Sequence, residues 1–310
     1  MRAISTLEME WADKMSLTEL GGGHIRFDCP MREHTTFRVG GPARALFEAQ
    51  DEVHLCRMIC HLRSKAIPYR IIGRGSNLLV PDEGYEGVLI HLGGELAGVD
   101  WEKDVPPRLC VGGGMGIGKL LERCRAKGYT GLEFLAGIPG TVGGAVCMNA
   151  GAFGREIESR VERVRVIGPQ GDVQERARLG LQFSYRSLAM DAGTVITKVA
   201  FGLETGSPEQ IARRLSAYGE RRRAHQPMGY PSAGSVFKNP PGDFAGRLID
   251  QAGLKGARIG GAQISEVHAN FIINRGDARA ADILSLINLV QERVREKWGV
   301  ELEPEIRVIP

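Results

Sequence analysis

The sequence predicts an α+β protein with two domains. Its 310 residues exceed the length of one typical domain, about 100–200 residues. From residue 24 onwards, short apolar runs typical of strands alternate with helical stretches, and the composition shifts near residues 202–208. Glycine makes up 42 of the 310 residues, well above its average share of about 7%. So much glycine indicates many backbone positions that need positive φ or a close approach to another group.

The elements are predicted in chain order. The first 20 residues form an amphipathic helix that ends at a glycine triplet, residues 21–23. The following part contains strands at 43–49, 69–72, 78–80, 87–92, 108–111, 160–167 and 194–201, and helices at 51–65 (with Asp51 as N-cap), 117–127 and, in a short piece, around 180–183. A basic helix at 208–223 and a loop rich in Gly, Pro and Ser at 226–241 come next, followed by helices and strands at 246–251, 269–273, 278–298 and 305–309. We therefore predict an extension at 1–23, a first domain at 24–203 and a smaller α/β domain at 204–310.

Composition argues against several classes of protein. Forty Lys and Arg against 37 Asp and Glu leave a net charge of +3, too balanced for a dedicated nucleic-acid-binding protein. The least polar stretch, residues 135–148, contains four glycines and is too short to span a bilayer, so no membrane insertion is predicted. The N-terminal residues lack the pattern of a secretory signal, and six scattered cysteines then suggest reduced thiols in the cytoplasm. Cys56, Cys60 and His61 are too few ligands to predict a metal site.

Three glycine clusters are candidates for a cofactor site. Residues 112–118 follow a strand and precede a helix, but no register gives G-x-G-x-x-G, so a tight turn is the simpler interpretation. Residues 73–77 combine two glycines with Ser76 and Asn77, which suits either a backbone nest for a diphosphate or a hairpin turn. Residues 137–154 are small and uncharged over most of their length, which favours a backbone wrapped around a flat apolar ligand with a phosphate tail. The competing interpretation is a tightly packed buried turn.

Six segments together resemble the UDP-N-acetylenolpyruvoylglucosamine reductase (MurB) family. They occur in family order and are 34–43 (HTTFRVGGPA), 73–80 (GRGSNLLV), 131–144 (GLEFLAGIPGTVGG), 184–187 (SYRS), 233–240 (AGSVFKNP) and 303–307 (EPEIR). The resemblance covers residues 24–310. Only 48 residues separate Arg186 from Ser235, too few for the substrate-covering loop of one form of the family. The chain therefore resembles the shorter, type II form, and the group that covers the substrate stays open.

The resemblance implies a fold, two cofactors and a reaction. The fold is an FAD-binding domain of the vanillyl-alcohol-oxidase (PCMH) type in two subdomains, followed by a C-terminal substrate-binding domain. The cofactors are FAD and NADPH, and the reaction is reduction of UDP-N-acetylglucosamine enolpyruvate to UDP-N-acetylmuramate in peptidoglycan precursor synthesis. The residues implied in FAD binding are Gly73, Arg74, Gly75, Ser76, Asn77, Leu78, Gly137, Ile138, Gly140, Thr141, Gly143, Gly144, Asn149 and Gly151.

The resemblance also assigns catalytic and substrate-binding residues. Arg186 would contact the substrate carboxylate, Glu305 would assist as a protonated donor, and Ser235 would deliver a proton to the carbanionic carbon. A serine hydroxyl is a weak acid, so Lys238 or a chain of waters would have to assist it. The residues implied in substrate binding are Tyr185, Arg223, Lys238 and Asn239, with Tyr230, Ser232 and His268 as weaker candidates.

Three other functions compete with this interpretation. A different FAD-dependent oxidoreductase of the same fold would share the glycine loops but would not need Ser235 and Glu305 in their motifs. A non-catalytic nucleotide-binding protein would be expected to lack at least one of Arg186, Ser235 and Glu305. A nucleic-acid-binding protein using the basic helix would be expected to carry a larger net positive charge.

Overall fold

A computed structural model describes residues 11–102 and 107–309 of the chain. Seven α-helices lie within these ranges: α1 Trp11–Leu20, α2 Glu52–Ser64, α3 Ile117–Lys127, α4 Val142–Cys147, α5 Pro208–His225, α6 Ala245–Gln251 and α7 Ala280–Trp298. The strands of the same ranges are β1 Ile25–Pro30, β2 Pro42–Ala49, β3 Tyr69–Ile72, β4 Leu78–Leu79, β5 Tyr85–Leu92, β6 Val99–Glu102, β7 Arg108–Gly112, β8 Tyr129–Thr130, β9 Gly151–Ala152, β10 Arg155–Glu156, β11 Val161–Ile167, β12 Val173–Ala177, β13 Phe183–Ser184, β14 Ser187–Leu188, β15 Val195–Gly202, β16 Glu204–Thr205, β17 Arg258–Ile259, β18 Ala262–Ile264, β19 Ile272–Asn274 and β20 Arg307–Val308. The predicted α+β class is confirmed.

The first subdomain is a four-stranded sheet in the order β1-β2-β5-β3. The β1–β2 pair is antiparallel, whereas β2–β5 and β5–β3 are parallel. Alternate residues of β2, such as Ala45 and Phe47, face α2, which places Leu55 and Met58 against the sheet. Asp51 caps α2 as predicted, because its side chain accepts a hydrogen bond from the backbone N–H of His54. The carboxyl ends of the parallel strands lead into the glycine loop at 73–77.

The second subdomain is a five-stranded antiparallel sheet in the order β12-β11-β15-β7-β6. One face of it packs on α3 and α4 through buried side chains that include Leu120, Val146, Val164 and Val199. An antiparallel sheet of this kind is not a Rossmann sheet, which agrees with the failed G-x-G-x-x-G pattern. The predicted short helix around 180–183 is wrong: a 3₁₀ turn at Arg178–Gly180 precedes strand β13 there.

The C-terminal unit packs α6 and α7 against the strands β17, β18 and β19. Its core also takes in Phe37 and Val39 from the first subdomain. Asp82 of the first subdomain accepts hydrogen bonds from the first backbone N–H groups of α7, at 2.9 and 3.1 Å. Strand β20 returns to pair with β4. The units are therefore joined by shared core and by backbone pairing.

Helix α5 lies on the second subdomain, although the predicted domain boundary places it after residue 203. Its buried Ile211 is followed by Leu215 and Tyr218, which pack on the core of the second subdomain. Arg214 pairs with the buried Glu133. The boundary at 204 stays a prediction, and the packing of α5 suggests that the second domain begins after His225 instead.

Helix α1 ends at Leu20, next to the predicted glycine triplet. Its Leu17 is fully buried against the core beneath α2. The predicted helix over residues 1–10 lies outside the described residues. Among the described residues, no helix combines the length and apolar character that crossing a bilayer requires.

Candidate functional site

A cleft of about 860 Å³ runs between the two subdomains and is closed at one end by the C-terminal unit. This volume lies within the range of cofactor and ligand pockets, about 300–1,000 Å³. Glycine-rich loops supply one wall, the end of α5 and the loop after it supply another, and residues 232–235 with Glu305 close it. All six residues of 73–78 line the cleft, and their role in binding a cofactor stays a prediction.

The loop at 73–77 is built of glycines because side chains would not fit. Gly75 has φ +63°, and a Cβ on it would lie 2.1 Å from the backbone oxygen of His34. A Cβ on Gly73 would lie 2.7 Å from Thr141 Oγ1, so Gly73 allows the two cofactor loops to meet. Ser76 donates a hydrogen bond to the Pro139 oxygen at 2.9 Å. The loop is thus held rigidly beside the second glycine loop.

The second glycine loop enters α4 at Thr141. The Thr141 hydroxyl caps α4 by accepting a hydrogen bond from the Gly144 N–H at 3.4 Å. Gly137 and Gly140 have φ of +74° and +141°, values that L side chains rarely adopt. A Cβ on Gly143 would crowd the Gly113 oxygen at 3.1 Å. The loop therefore offers backbone rather than side chains to the cleft, which suits a flat ring system and a phosphate.

Arg186 and Glu305 face each other in the cleft. Arg186 sits in the turn between β13 and β14, and its Nε lies 3.2 Å from Glu305 Oε1. The backbone of Arg186 is left-handed, with φ +58°, a strained conformation for arginine. Burial raises the pKa of the Glu305 carboxyl above its ordinary value, although Arg186 and Lys238 act in the opposite direction. Glu305 is therefore suited to remain protonated nearer neutral pH than an exposed glutamate.

Ser235 lines the same cleft, in a segment held from both sides. It forms a β-bridge with Phe271, and the next residue, Val236, accepts a backbone hydrogen bond from Glu305 at 2.7 Å. Gly234, with φ +77°, allows the chain to turn into the cleft just before the serine. The fold thus brings together Arg186, Ser235 and Glu305, which come from three distant parts of the sequence, in one wall.

Three buried polar atoms of the cleft have no hydrogen-bond partner within the described part of the chain: Thr194 Oγ1, Arg222 Nε and Arg186 Nε, the last of which makes only the ion pair with Glu305. Unpaired buried polar groups are rare, because each costs about 1–3 kcal/mol. Burial, and secondarily the neighbouring Arg186, lower the pKa of Arg222. A cofactor or substrate with hydrogen-bond acceptors and negative charge would satisfy these groups. The residues present therefore fit FAD and an anionic substrate.

Five predicted residues are not placed on the cleft wall. Asn149 is fully buried and uses its side chain internally, donating to Glu156 at 2.9 Å and to the Ser184 oxygen at 3.1 Å. Lys238 forms an ion pair with Glu303 at 2.6 Å, and Asn239 accepts from the backbone of Ala245 at 3.1 Å. Tyr185 and Arg223 are exposed. The weaker candidates Tyr230, Ser232 and His268 do line the cleft.

Arg222 lines the cleft, whereas the prediction named its neighbour Arg223. The helical periodicity of α5 could have identified Arg222 from the sequence. The inward residues of α5 are Ile211, Leu215 and Tyr218, and continuing that stripe by four residues reaches Arg222. Thr194, by contrast, stands alone before β15 and has no motif that would single it out. The described residues contain no cluster of three or more His, Cys, Asp or Glu side chains that could hold a metal ion.

Comparison with known proteins gives matches along most of the chain. Residues 226–309 match the family model for the UDP-N-acetylenolpyruvoylglucosamine reductase C-terminal domain, and residues 43–176 match that for an FAD binding domain. The chain is 43% identical over 289 residues to a UDP-N-acetylenolpyruvoylglucosamine reductase of Geobacter metallireducens, covering 93% of this chain and 94% of the relative. It is 45% identical to one of Heliobacterium modesticaldum, with coverage of 90% and 89%. The crystal structure of the reductase (MurB) from Thermus caldophilus superposes with a TM-score of 0.77 at 40% identity, covering 92% of this chain and 98% of that one.

Proposed function

The chain belongs to the UDP-N-acetylenolpyruvoylglucosamine reductase family, and on that premise we propose how its cleft performs the reaction. The protein is an FAD-dependent, NADP-linked oxidoreductase, a UDP-N-acetylmuramate dehydrogenase of peptidoglycan precursor synthesis. In the proposed reaction NADPH is oxidised, the terminal carbon of the enolpyruvyl ether gains a hydride, and the adjacent carbon gains a proton. The product is the lactyl ether, UDP-N-acetylmuramate.

The observation that carries the proposal is the meeting of Arg186 and Glu305 at 3.2 Å in a cleft whose other wall is bare backbone. Bound FAD would supply the hydride carrier between NADPH and the enolpyruvyl carbon. The residues that would hold it are those of 73–78 and 137–144, with Thr194 as an additional hydrogen-bond donor. All of these residues except the buried Val142 line the cleft.

Arg186 and Glu305 would stabilise the charge that develops on the substrate. Hydride addition leaves negative charge on the adjacent carbon and its carboxylate, so fixed donors beside that carboxylate favour the transition state. The planar fork of Arg186 suits a carboxylate. Glu305 can donate to the same group only while it is protonated, which its burial favours. A Cβ on Gly151 would lie 3.2 Å from Arg186 Nη1, so a glycine at this position leaves room for the Arg186 side chain.

Ser235 would deliver the proton to the carbanionic carbon. It lines the cleft with Arg186 and Glu305, and its backbone is fixed by its bridge to Phe271. Lys238 is engaged with Glu303 outside the cleft wall, so the described contacts favour assistance by another route. Arg222 would provide a cation for the anionic substrate, because its buried Nε lies in the cleft near Arg186 and donates to no acceptor among the described residues.

The variant Ser235→Ala tests the proton-donor role. We expect NADPH to reduce the flavin at a nearly normal rate, whereas reoxidation by the enolpyruvyl nucleotide falls by about 10²–10⁴-fold, the usual contribution of general acid catalysis. Stopped-flow absorbance under anaerobic conditions separates the two half-reactions. Ser232→Ala is the matched control, because Ser232 lines the cleft from the same loop. Equal slowing of both half-reactions in Ser235→Ala would overturn the assignment.

A further inference from the structure

A second cavity of about 890 Å³ lies on the face of the first sheet opposite α2. It opens at the carboxyl ends of the parallel strands, where Glu48 of β2, His91 of β5 and Ile72 of β3 lie side by side. Crevices at this edge of α/β sheets are common ligand sites. We call this cavity the basic groove, because its charged lining consists of Arg26, Arg38, Arg74, His24, His34, His91, Glu33 and Glu48.

Arg26 and Arg38 have guanidinium groups without partners in the groove. Within the described part of the chain, neither side chain forms an ion pair or a hydrogen bond. Arg44, on the same sheet, is by contrast paired with Glu86 at 2.6 Å. Two unpaired guanidinium groups on one concave surface leave several donors for a ligand, and planar forks suit phosphate oxygens.

The backbone at Arg38 is strained. Its φ is +56°, a conformation unfavourable for a side chain other than Gly, Asn or Asp. Phe37 and Val39 on either side are buried in the C-terminal core, and the Phe37 oxygen accepts from Asn274 at 2.9 Å. This anchoring holds the strained residue in place and presents the exposed Arg38 to the groove. Strain held by packing on both sides is often associated with a functional site.

The other charged groups of the groove also fit an anionic ligand. Burial lowers the pKa values of His34 and His91, and a nearby arginine lowers each further, Arg26 for His34 and Arg74 for His91, whereas Glu33 and Glu48 act in the opposite direction. The carboxylate of Glu48 accepts a hydrogen bond from Gln50 at 3.2 Å and lies next to Gly93, where a Cβ would not fit beside it. Glu33 is exposed at the rim. Three arginines thus oppose two acids in the lining of the groove.

We propose that the basic groove binds phosphate groups, with Arg26 and Arg38 as their principal ligands. The groove meets the flavin cleft, because Ile72, Gly73, Arg74, Gly229 and Tyr230 line both. A phosphorylated ligand with one end in the cleft can therefore extend past Tyr230 into the groove. Three sources share this chemistry: the adenosine end of NADPH, the diphosphate of the nucleotide substrate, and a free anion. Only the first two rest on the proposed function.

The test titrates the purified holoenzyme with inorganic pyrophosphate by isothermal titration calorimetry. We expect Arg26→Gln and Arg38→Asn each to weaken binding about tenfold, as expected for loss of a charged hydrogen-bond donor. Arg38→Asn places a residue that tolerates left-handed backbone at a strained position, so its melting temperature should not fall. Arg32→Gln is the control, because Arg32 is an exposed arginine of the same region outside the groove.

Stopped-flow measurements on the same variants identify the source of the phosphate. If the groove takes the adenosine end of NADPH, the apparent Kd for NADPH in flavin reduction rises about tenfold in the variants. The apparent Kd for NADH, which lacks the 2′-phosphate, then changes less. If it takes the substrate diphosphate, only reoxidation is affected. If it takes a free anion, only the calorimetry changes.

The proposal is overturned if the holoenzyme binds no pyrophosphate and both half-reactions are unaltered in Arg26→Gln and Arg38→Asn. It is also overturned if Arg32→Gln weakens binding as much as they do. Failure of the proposed function gives a different result, because the enolpyruvyl nucleotide would then not reoxidise the flavin of the wild-type protein. The calorimetric comparison of wild type and variants would still show whether the groove binds pyrophosphate.

Discussion

Replacing Thr194 by valine should change the stability of the flavin-free protein and its affinity for FAD in opposite directions. The Thr194 hydroxyl is buried in the cleft without a hydrogen-bond partner in the described part of the chain. Such an unsatisfied group costs about 1–3 kcal/mol. Valine has nearly the same shape and no hydroxyl, so we expect the free energy of unfolding of the flavin-free protein to rise by about 1 kcal/mol or more.

The FAD-bound protein should lose affinity in the same variant. If the hydroxyl donates a hydrogen bond to FAD, its removal costs about 0.5–1.5 kcal/mol, or about 2- to 10-fold in Kd. Urea unfolding of flavin-free protein gives the first quantity, and quenching of flavin fluorescence on titration gives the second.

Thr197→Val is the matched control for this experiment. Thr197 is fully buried in β15, three residues further on, and its hydroxyl donates to Glu52 at 2.6 Å. Its loss should destabilise the flavin-free protein by about 1–3 kcal/mol and leave FAD affinity unchanged. The reasoning is refuted if Thr194→Val destabilises the flavin-free protein, or if it binds FAD as tightly as the wild type.

Three further predictions concern the cofactor loop, the buried acid and the buried cation. Gly75→Ala should abolish flavin binding, because the new Cβ would lie 2.1 Å from a backbone oxygen. The control Gly154→Ala, at φ +77° with nothing within 4 Å of its Cβ, should lower the free energy of unfolding by only about 1–2 kcal/mol. Flavin content per chain and thermal unfolding distinguish the two variants. Flavin reoxidation by the enolpyruvyl nucleotide should slow as pH rises through the pKa of Glu305, because only the protonated carboxyl donates a hydrogen bond, and burial raises this pKa. Glu305→Gln should flatten the dependence of the reoxidation rate on pH. A wild-type rate that rises with pH would contradict the assignment. Arg222→Met should raise KM for the nucleotide about tenfold at unchanged flavin content, and an equal effect of Arg223→Met would argue against a specific role.

Local patterns predicted most of the elements. Helix α3 and strand β3 have the predicted bounds, because each has a clear apolar period and ends at a glycine or at a polar turn. The helix predicted around 180–183 failed because leucine and glycine spacing there reflects a 3₁₀ turn before a short hairpin. Such short elements are set by the contacts of the surrounding fold rather than by their own period.

The site was less accessible to residue-by-residue reasoning. Nothing in the spacing of Arg186 and Glu305, 119 positions apart, indicates that they lie 3.2 Å from each other; only the resemblance to the family joined them. Asn149 belongs to a cofactor motif yet uses its side chain inside the second subdomain. A motif thus identifies a segment, and the packing decides which of its side chains reach the cleft.

Anaerobic titration of the purified protein tests most directly whether the glycine-walled cleft holds a flavin beside Arg186, Ser235 and Glu305. We predict a yellow protein whose visible absorbance bleaches with one equivalent of NADPH per chain and returns on addition of UDP-N-acetylglucosamine enolpyruvate. A colourless protein that takes up no added FAD, or a reduced flavin that this nucleotide leaves bleached, would contradict the account.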